Sequence, residues 1–500
     1  MSEYVADHVQ DGPGVRTRNG VLRGSLKDGV ASFLGIPYAQ APVGELRFRV
    51  PEPAESWDGI REATAFGPTA PKRPYAPPLA ALLPDPEVPG DDCLNLNVWA
   101  PWPATGPGDG GAPGGGRAVM VWIHGGSLVH GSSAVPVYDG TAFARDGVVL
   151  VSINYRLGIE GFGVFPDAPA NLGLRDQIAA LTWVRENIAA FGGDPERVTV
   201  FGESAGAISI GALLASPLAK GLFRRAVLQS GAPTAKSIGF ARKTTEAIAA
   251  RLRVPATAEA FAGVDRERLL AAQTAVTGKG SPLISGNQFH LAVDGEVLLE
   301  DPGDALADGA SAEVELLMGT NTDEYRLWFV PDGHADRVGP LVQRLLLRKG
   351  RIAPHTAKVY RARRRQEKPG EVLGAIATDW ILRVPLNLLA DFRLNSGRAA
   401  ATYLYEFGWP SPVLGLRACH ALELGFVFDT LDAPETRMLT GPNAPRDLAT
   451  AMHAAWVAFA KTGNPGWRRW GPARPVMTFG PGGPALVEAP REEERLAWGS

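Results

Sequence analysis

From residue 118 to residue 233 the chain alternates between short apolar runs and helix-period segments. This alternation restricts the fold more than any other feature. The runs at 118–123, 148–154 and 198–201 are mostly apolar and rich in β-branched residues, the pattern of strands covered on both faces, and 225–230 reads as another strand. Between them, 171–190 sets Leu174, Ile178, Leu181, Val184 and Ile188 on one stripe, and 205–214 is small and apolar. Strand–helix alternation of this kind predicts a mostly parallel, doubly wound sheet. In such sheets ligands sit beyond the carboxyl ends of the strands.

One residue is placed for chemistry by that pattern. Gly202-Glu-Ser-Ala-Gly206 follows the strand at 198–201 and opens the helix at 205–214. A serine at a sharp strand-to-helix turn, flanked by glycines, is a nucleophile elbow. The pentapeptide alone is weak evidence, so Ser204 needs a base, a group that orients the base, and donors for an oxyanion.

Of eight histidines, His420 in Arg417-Ala-Cys-His-Ala-Leu-Glu-Leu424 stands well after Ser204, in the order nucleophile, acid, histidine used by α/β-hydrolases. The acid must then lie between them. The strand expected at 314–319 runs into a polar loop with Asp323 and Glu324, and the residues themselves do not choose between the two. Trp122-Ile-His-Gly-Gly-Ser127 follows the strand at 118–123, where glycines such as Gly125 can turn backbone N–H groups toward a developing oxyanion.

The remaining sequence sets the surroundings. Residues 103–116 are Pro- and Gly-rich and read as a long flexible loop within one domain; 68–90 is also Pro-rich. Residues 240–400 look helical apart from the strand at 314–319. The end returns to strand (401–407), helix (446–461) and a tryptophan-rich tail. A net charge of −3 gives no reason to expect nucleic acid, and the basic run 361–365 reads as a solvated helix face. No basic and apolar leader and no long apolar segment suggests secretion or a membrane. With two cysteines, Cys93 and Cys419, one disulfide is arithmetically possible, but a reduced cytoplasmic protein is the simpler expectation.

Most of the chain resembles the type-B carboxylesterases, which include cholinesterases and bacterial p-nitrobenzyl esterases. The resemblance rests on Phe33-Leu-Gly-Ile-Pro-Tyr-Ala39, Pro42-Val-Gly-Glu-Leu-Arg-Phe48, Asp91-Asp-Cys-Leu-Asn-Leu-Asn-Val98 and Asn154-Tyr-Arg-Leu-Gly158. It continues through Asn171-Leu-Gly-Leu-Arg-Asp-Gln177, Phe191-Gly-Gly-Asp-Pro195, the Ser204 elbow, Leu228-Gln-Ser-Gly231, Asp323-Glu324, His420-Ala-Leu-Glu-Leu424 and Gly463-Asn-Pro465. It implies a single α/β-hydrolase domain over 1–500, with a helical cap at about 240–400 that shapes an active-site gorge. It implies Glu324 as the acid, oxyanion donors on Gly126, Ser127 and Ala205, and supporting roles for Gly125, Glu203 and Ser230. It also implies structural ion pairs Arg47–Asp92 and Arg156–Asp176. Ser127 replaces the family's common third glycine and puts a side chain in the cleft. Residues 67–92 hold neither tryptophan nor cysteine, so the choline-stacking platform and the loop disulfide of cholinesterases are absent there.

The expected activity is hydrolysis of a small-molecule carboxylic ester through an acyl-enzyme on Ser204, with no metal or other cofactor and a monomer as default. The alternatives are acyl transfer by the same three residues, or a non-catalytic binding protein on the same fold.

Overall fold

The structure is a computed structural model in which residues 12–104, 115–278 and 288–499 are described. Residues 105–114 of the expected glycine-rich loop lie outside them. Among the described residues, eleven strands form one sheet. In chain order they are β1 (Ser25–Lys27), β2 (Val30–Pro37), β3 (Asn95–Pro101), β4 (Arg117–Ile123), β5 (Val149–Ile153), β6 (Gly193–Glu203), β7 (Arg225–Gln229), β8 (Glu315–Asn321), β9 (Thr402–Phe407), β10 (Pro475–Gly480) and β11 (Gly483–Glu488). They lie side by side as β11-β10-β9-β8-β7-β6-β4-β5-β3-β2-β1.

Every neighbouring pair from β10 to β5 is parallel. The pairs outside that stretch are antiparallel. The parallel strands are covered on both faces: β4, β5 and β7 are buried along their whole lengths, which is why β4 and β5 are mostly apolar and β7 has an apolar centre, Ala226-Val-Leu228. β11 is an exposed edge strand. The hairpin of β10 and β11 occupies what looked like a tail; its signal is Gly480-Pro-Gly-Gly483, a two-residue turn between strands.

Helices α1 (Leu172–Asn187) and α2 (Ala205–Ala215) cross the sheet, and their helical patterns end within a few residues of the expected limits. Farther along are α3 (Pro340–Lys349), α4 (Pro369–Asn395) and α5 (Arg446–Thr462). α4 is long and apolar enough to cross a membrane, yet 78% of its apolar window is buried inside the protein. Its hydropathy therefore reflects core packing.

Two buried clusters line opposite faces of the sheet. Cys93 belongs to one and Cys419 to the other, and both thiols are free. The sheet stands between them, so the possible disulfide does not form. The basic run is largely exposed, as expected, but two of its arginines have acidic partners: Arg363 lies 3.2 Å from Glu493, and Arg364 pairs with Glu494.

Of the two expected ion pairs, one forms. Arg156 Nη2 is 2.6 Å from Asp176 Oδ1, and both side chains are fully buried. The Arg156 backbone N–H and Nε also donate to Asp176 Oδ2, at 3.0 and 2.8 Å. The Arg47–Asp92 pair does not form. Arg47 Nη2 is instead 2.7 Å from Glu160 Oε1, in a short helix after Arg156, and Asp92 lies 3.7 Å from Arg61. Glu160 is almost fully enclosed and needs a cation, whereas Asp92 is more open to solvent. Removing one partner of a buried pair strands the other charge, which costs roughly 3–5 kcal/mol. Asp176→Ala is therefore expected to lose about that much stability in urea denaturation; a loss under ~1 kcal/mol would show that Arg156 finds other compensation.

Candidate active site

Because the central strands are parallel, the carboxyl ends of β4, β6, β7, β8 and β9 open on one side. Ser204 follows β6 directly, in a conformation (φ 56°, ψ −122°) that side chains rarely adopt; such backbone strain costs on the order of 1–3 kcal/mol. The flanking glycines explain how it is tolerated. A Cβ on Gly206 would lie 2.0 Å from the carbonyl oxygen of Ile123, the last residue of β4, and one on Gly202 would lie 2.6 Å from the same atom. No side chain fits at either position.

The same closeness brings the loop after β4 to Ser204. A Cβ on Gly125 would meet Glu203 Oε2 at 2.9 Å and Ser204 Cβ at 3.1 Å. Gly126, Ser127 and Leu128 all take positive φ. Among the described residues, the backbone N–H groups of Gly126 and Ser127 donate to no protein acceptor. Ala205 is the first residue of α2, so its N–H has no partner within the helix.

Glu324 and His420 come from the loops after β8 and β9. His420 Nδ1 donates to Glu324 Oε2 at 2.6 Å. Glu324 is fully buried, and its Oε1 accepts from the backbone N–H of Asn321 at 2.7 Å. Asp323 turns away: its Oδ2 accepts from Thr322 Oγ1, and its other oxygen lies 3.7 Å from Arg417. Of the two acids, Glu324 is the one whose carboxylate meets the imidazole.

The other imidazole nitrogen, Nε2, lies 2.8 Å from Glu203 Oε1, although the ring N–H is not aligned for a hydrogen bond. Burial disfavours the imidazolium, but the two carboxylates Glu203 and Glu324 outweigh it and hold the His420 pKa well above the ordinary histidine value. Burial raises the Glu203 pKa, opposed by His420.

Two further groups were not singled out from the sequence. Glu423, in the quoted His420-Ala-Leu-Glu-Leu424 motif, is fully buried. It accepts from Gln229 Nε2 at 3.1 Å and Asn321 Nδ2 at 2.7 Å. Burial, with Glu203 and Glu324 adding to it, pushes its carboxyl up to about 8. Asp85 comes from the Pro-rich segment. Its Oδ1 lies 3.3 Å from the buried Lys72 and accepts from the N–H of Gly131 at 3.1 Å; its Oδ2 is 3.1 Å from His130 Nδ1. Tyr75 stacks on His130 at 4.0 Å. This cluster anchors the far end of the loop that contains Gly126 and Ser127. A buried acid in a proline-rich loop has no distinctive sequence signal.

A cavity of about 720 Å³ contains Ser204, Ser127, Ala205, Ser230 and His420 on its wall. Ser230 (φ 52°) is buried and its hydroxyl has no partner. The rest of the wall is mainly apolar, with Leu128, Ile208, Phe289, Trp328, Phe329 and Trp380 prominent. Most of it comes from the expected helical region.

A parallel sheet with a strained serine after β6 and an acid–histidine pair after β8 and β9 defines an α/β-hydrolase. Residues 11–476 match the model of the carboxylesterase family. The chain is 39% identical to the para-nitrobenzyl esterase of Bacillus subtilis (strain 168) over 464 residues, covering 90% of each chain. It is 34% identical to the phenmedipham hydrolase of Pseudarthrobacter oxydans over 469 residues, covering 91% of this chain and 90% of that one. The crystal structure of carboxylesterase EST55 of Geobacillus stearothermophilus, 38% identical, superposes with a TM-score of 0.83 over 97% of this chain and 99% of that one. The chain belongs to the carboxylesterase family and is a carboxylic ester hydrolase.

The Glu423 carboxyl binds more protons folded than unfolded between its ordinary value of 4.5 and about 8. Its burial therefore costs stability as pH rises through that window. Glu423→Gln removes the titration. Whatever its constant offset, the variant should gain on the wild type between pH 5 and pH 9, by on the order of a few kcal/mol in denaturant titrations. Parallel stability curves would show that Glu423 does not titrate there.

Proposed function

We propose that Ser204, Glu324 and His420 act together as nucleophile, orienting acid and base in ester hydrolysis. The observation that carries this reading is the 2.6 Å contact from His420 Nδ1 to Glu324, with His420 and Ser204 on the wall of one cavity. A proton fixed on Nδ1 leaves Nε2 as the nitrogen that takes the Ser204 proton. The Ser204 oxygen attacks the ester carbonyl, and the tetrahedral oxyanion is held by the N–H groups of Gly126, Ser127 and Ala205. Nε2 returns its proton to the leaving alcohol. Water, deprotonated in the same way, releases the acid from the acyl-enzyme. The reaction as drawn uses side chains, backbone and water.

Gly125 keeps the oxyanion loop close to Ser204, and Ser230 supports the site from behind it. The helical residues 240–400 act as the cap of one catalytic domain, and their apolar wall favours esters with large apolar groups, narrowed beside Ser127. Two free thiols buried on opposite faces of the sheet suit a reducing compartment. We place the enzyme in the cytoplasm, as a monomer by default.

Ser204→Ala should reduce p-nitrophenyl acetate hydrolysis to a trace, at least 10³-fold, while circular dichroism and thermal unfolding stay as in the wild type. Substantial residual turnover by a folded variant would refute the assignment.

Glu203 helps to raise the His420 pKa, so free enzyme with a protonated imidazole is inactive below a limb displaced upward from the ordinary histidine range. Glu203→Gln removes one of the two carboxylates. The acid limb of kcat/KM should then move to lower pH. A limb that stays in place would mean that Glu203 does not set the protonation of the base.

A further inference from the structure

The 30 residues from Arg337 to Gln366 hold ten lysines and arginines and no aspartate or glutamate, in a chain of net charge −3. At the centre of this stretch lies α3. Its inner face carries the buried Gln343 and Leu347, and Leu346, Leu347 and Lys349 line the cavity that contains Ser204. Its outer face is apolar and bare: Leu341 is 83% exposed, Leu345 67% and Val342 48%. Leu341 and Leu345 are one turn apart, so they project side by side.

Arg344, Arg348, Lys349 and Arg351 are exposed around these side chains, and none has an ion-pair partner among the described residues. Trp380, 46% exposed, lines the same cavity. Leucines fringed by unpaired cations, with a tryptophan nearby, are the pattern of a helix that lies in the interface of an anionic lipid layer.

We propose that α3 docks the enzyme on anionic lipid surfaces, with Leu341, Val342 and Leu345 entering the headgroup boundary and Arg344, Arg348, Lys349 and Arg351 facing the lipid phosphates. The charge favours this occupant over a basic or neutral one. The position of α3 on the cavity wall gives the docking a use, because amphiphilic esters could pass from the layer toward Ser204. That use rests on the catalytic reading above; the docking itself does not. The lack of a long uninterrupted apolar run gave no reason to expect a membrane partner, but a helix that lies on the surface needs no span.

The test is co-sedimentation of the full chain with vesicles of phosphatidylcholine alone or with 30% phosphatidylglycerol. At low salt, partitioning should be at least tenfold stronger on the anionic vesicles and should fall as salt is raised. Leu341→Glu/Leu345→Glu should lose at least tenfold in binding, and Arg344→Gln/Arg348→Gln/Arg351→Gln should lose most of the preference for anionic lipid. Both variants should hydrolyse p-nitrophenyl acetate as the wild type does. Ser204→Ala should bind vesicles normally, which separates docking from catalysis. Equal binding to both vesicle types, wild-type binding by Leu341→Glu/Leu345→Glu, or a concentration-dependent dimer that this variant dissociates would overturn the proposal. The last result would mean that a second copy covers the face.

Discussion

The contact between the start of α2 and the end of β4 is the constraint on which the rest of the site depends. The Ile123 carbonyl occupies the space that a side chain on Gly206 or Gly202 would need. The chain can therefore reverse at Ser204 only with glycines on both sides, and only with β6 beside β4. Once that turn is made, Gly125 passes close beside Ser204, and Ser127, Leu128 and Ala205 at the start of α2 line the same cavity as Ser204. The strain at Ser204 is supported by the buried length of β6 and by α2, nine of whose eleven residues are buried. A less enclosed turn could relax.

The second constraint is electrostatic. Three buried carboxylates, Glu203, Glu324 and Glu423, surround a single imidazole. They cannot all ionise without a large cost in a dry site. The structure distributes the burden unequally. Glu324 has a backbone N–H and the imidazole. Glu203 lies beside the other ring nitrogen, Nε2. Glu423 has only the neutral amides of Gln229 and Asn321, and its carboxyl is the one pushed up to about 8. Gln229 is itself fixed, since its Oε1 accepts from Trp456 Nε1 at 3.0 Å. The amides thus let a third acid sit near the histidine without adding full charge.

The sheet was legible because burial on both faces writes itself into sequence as apolar runs, and the elbow was legible because only glycine fits beside Ser204. The edge hairpin was less visible, since β11 is exposed and its residues do not alternate cleanly. The Arg47 pair was misassigned because one guanidinium can reach several acids, and only the packed position of Glu160 decides which. Asp323 and Glu324 are adjacent, so their roles depend on loop geometry that no residue pattern contains; the family resemblance, not the residues, pointed to Glu324. Asp85 and Glu423 escaped notice because each acts through neighbours distant in sequence.

The same reasoning separates what the fold fixes from what it leaves open. Ser204, Glu324 and His420 hang from strands whose register is set by backbone pairing, so their relation tolerates change elsewhere. The apolar cavity wall is built mostly from segments outside those strands, at 288–291, 328–329, 346–352 and 373–382. No sheet register holds these segments. Their composition can change without moving Ser204, so one parallel sheet can carry different ester preferences. The acid-free basic stretch around α3 belongs to this second set. Its charge is not needed to build the sheet, which is why a net charge taken over the whole chain conceals it.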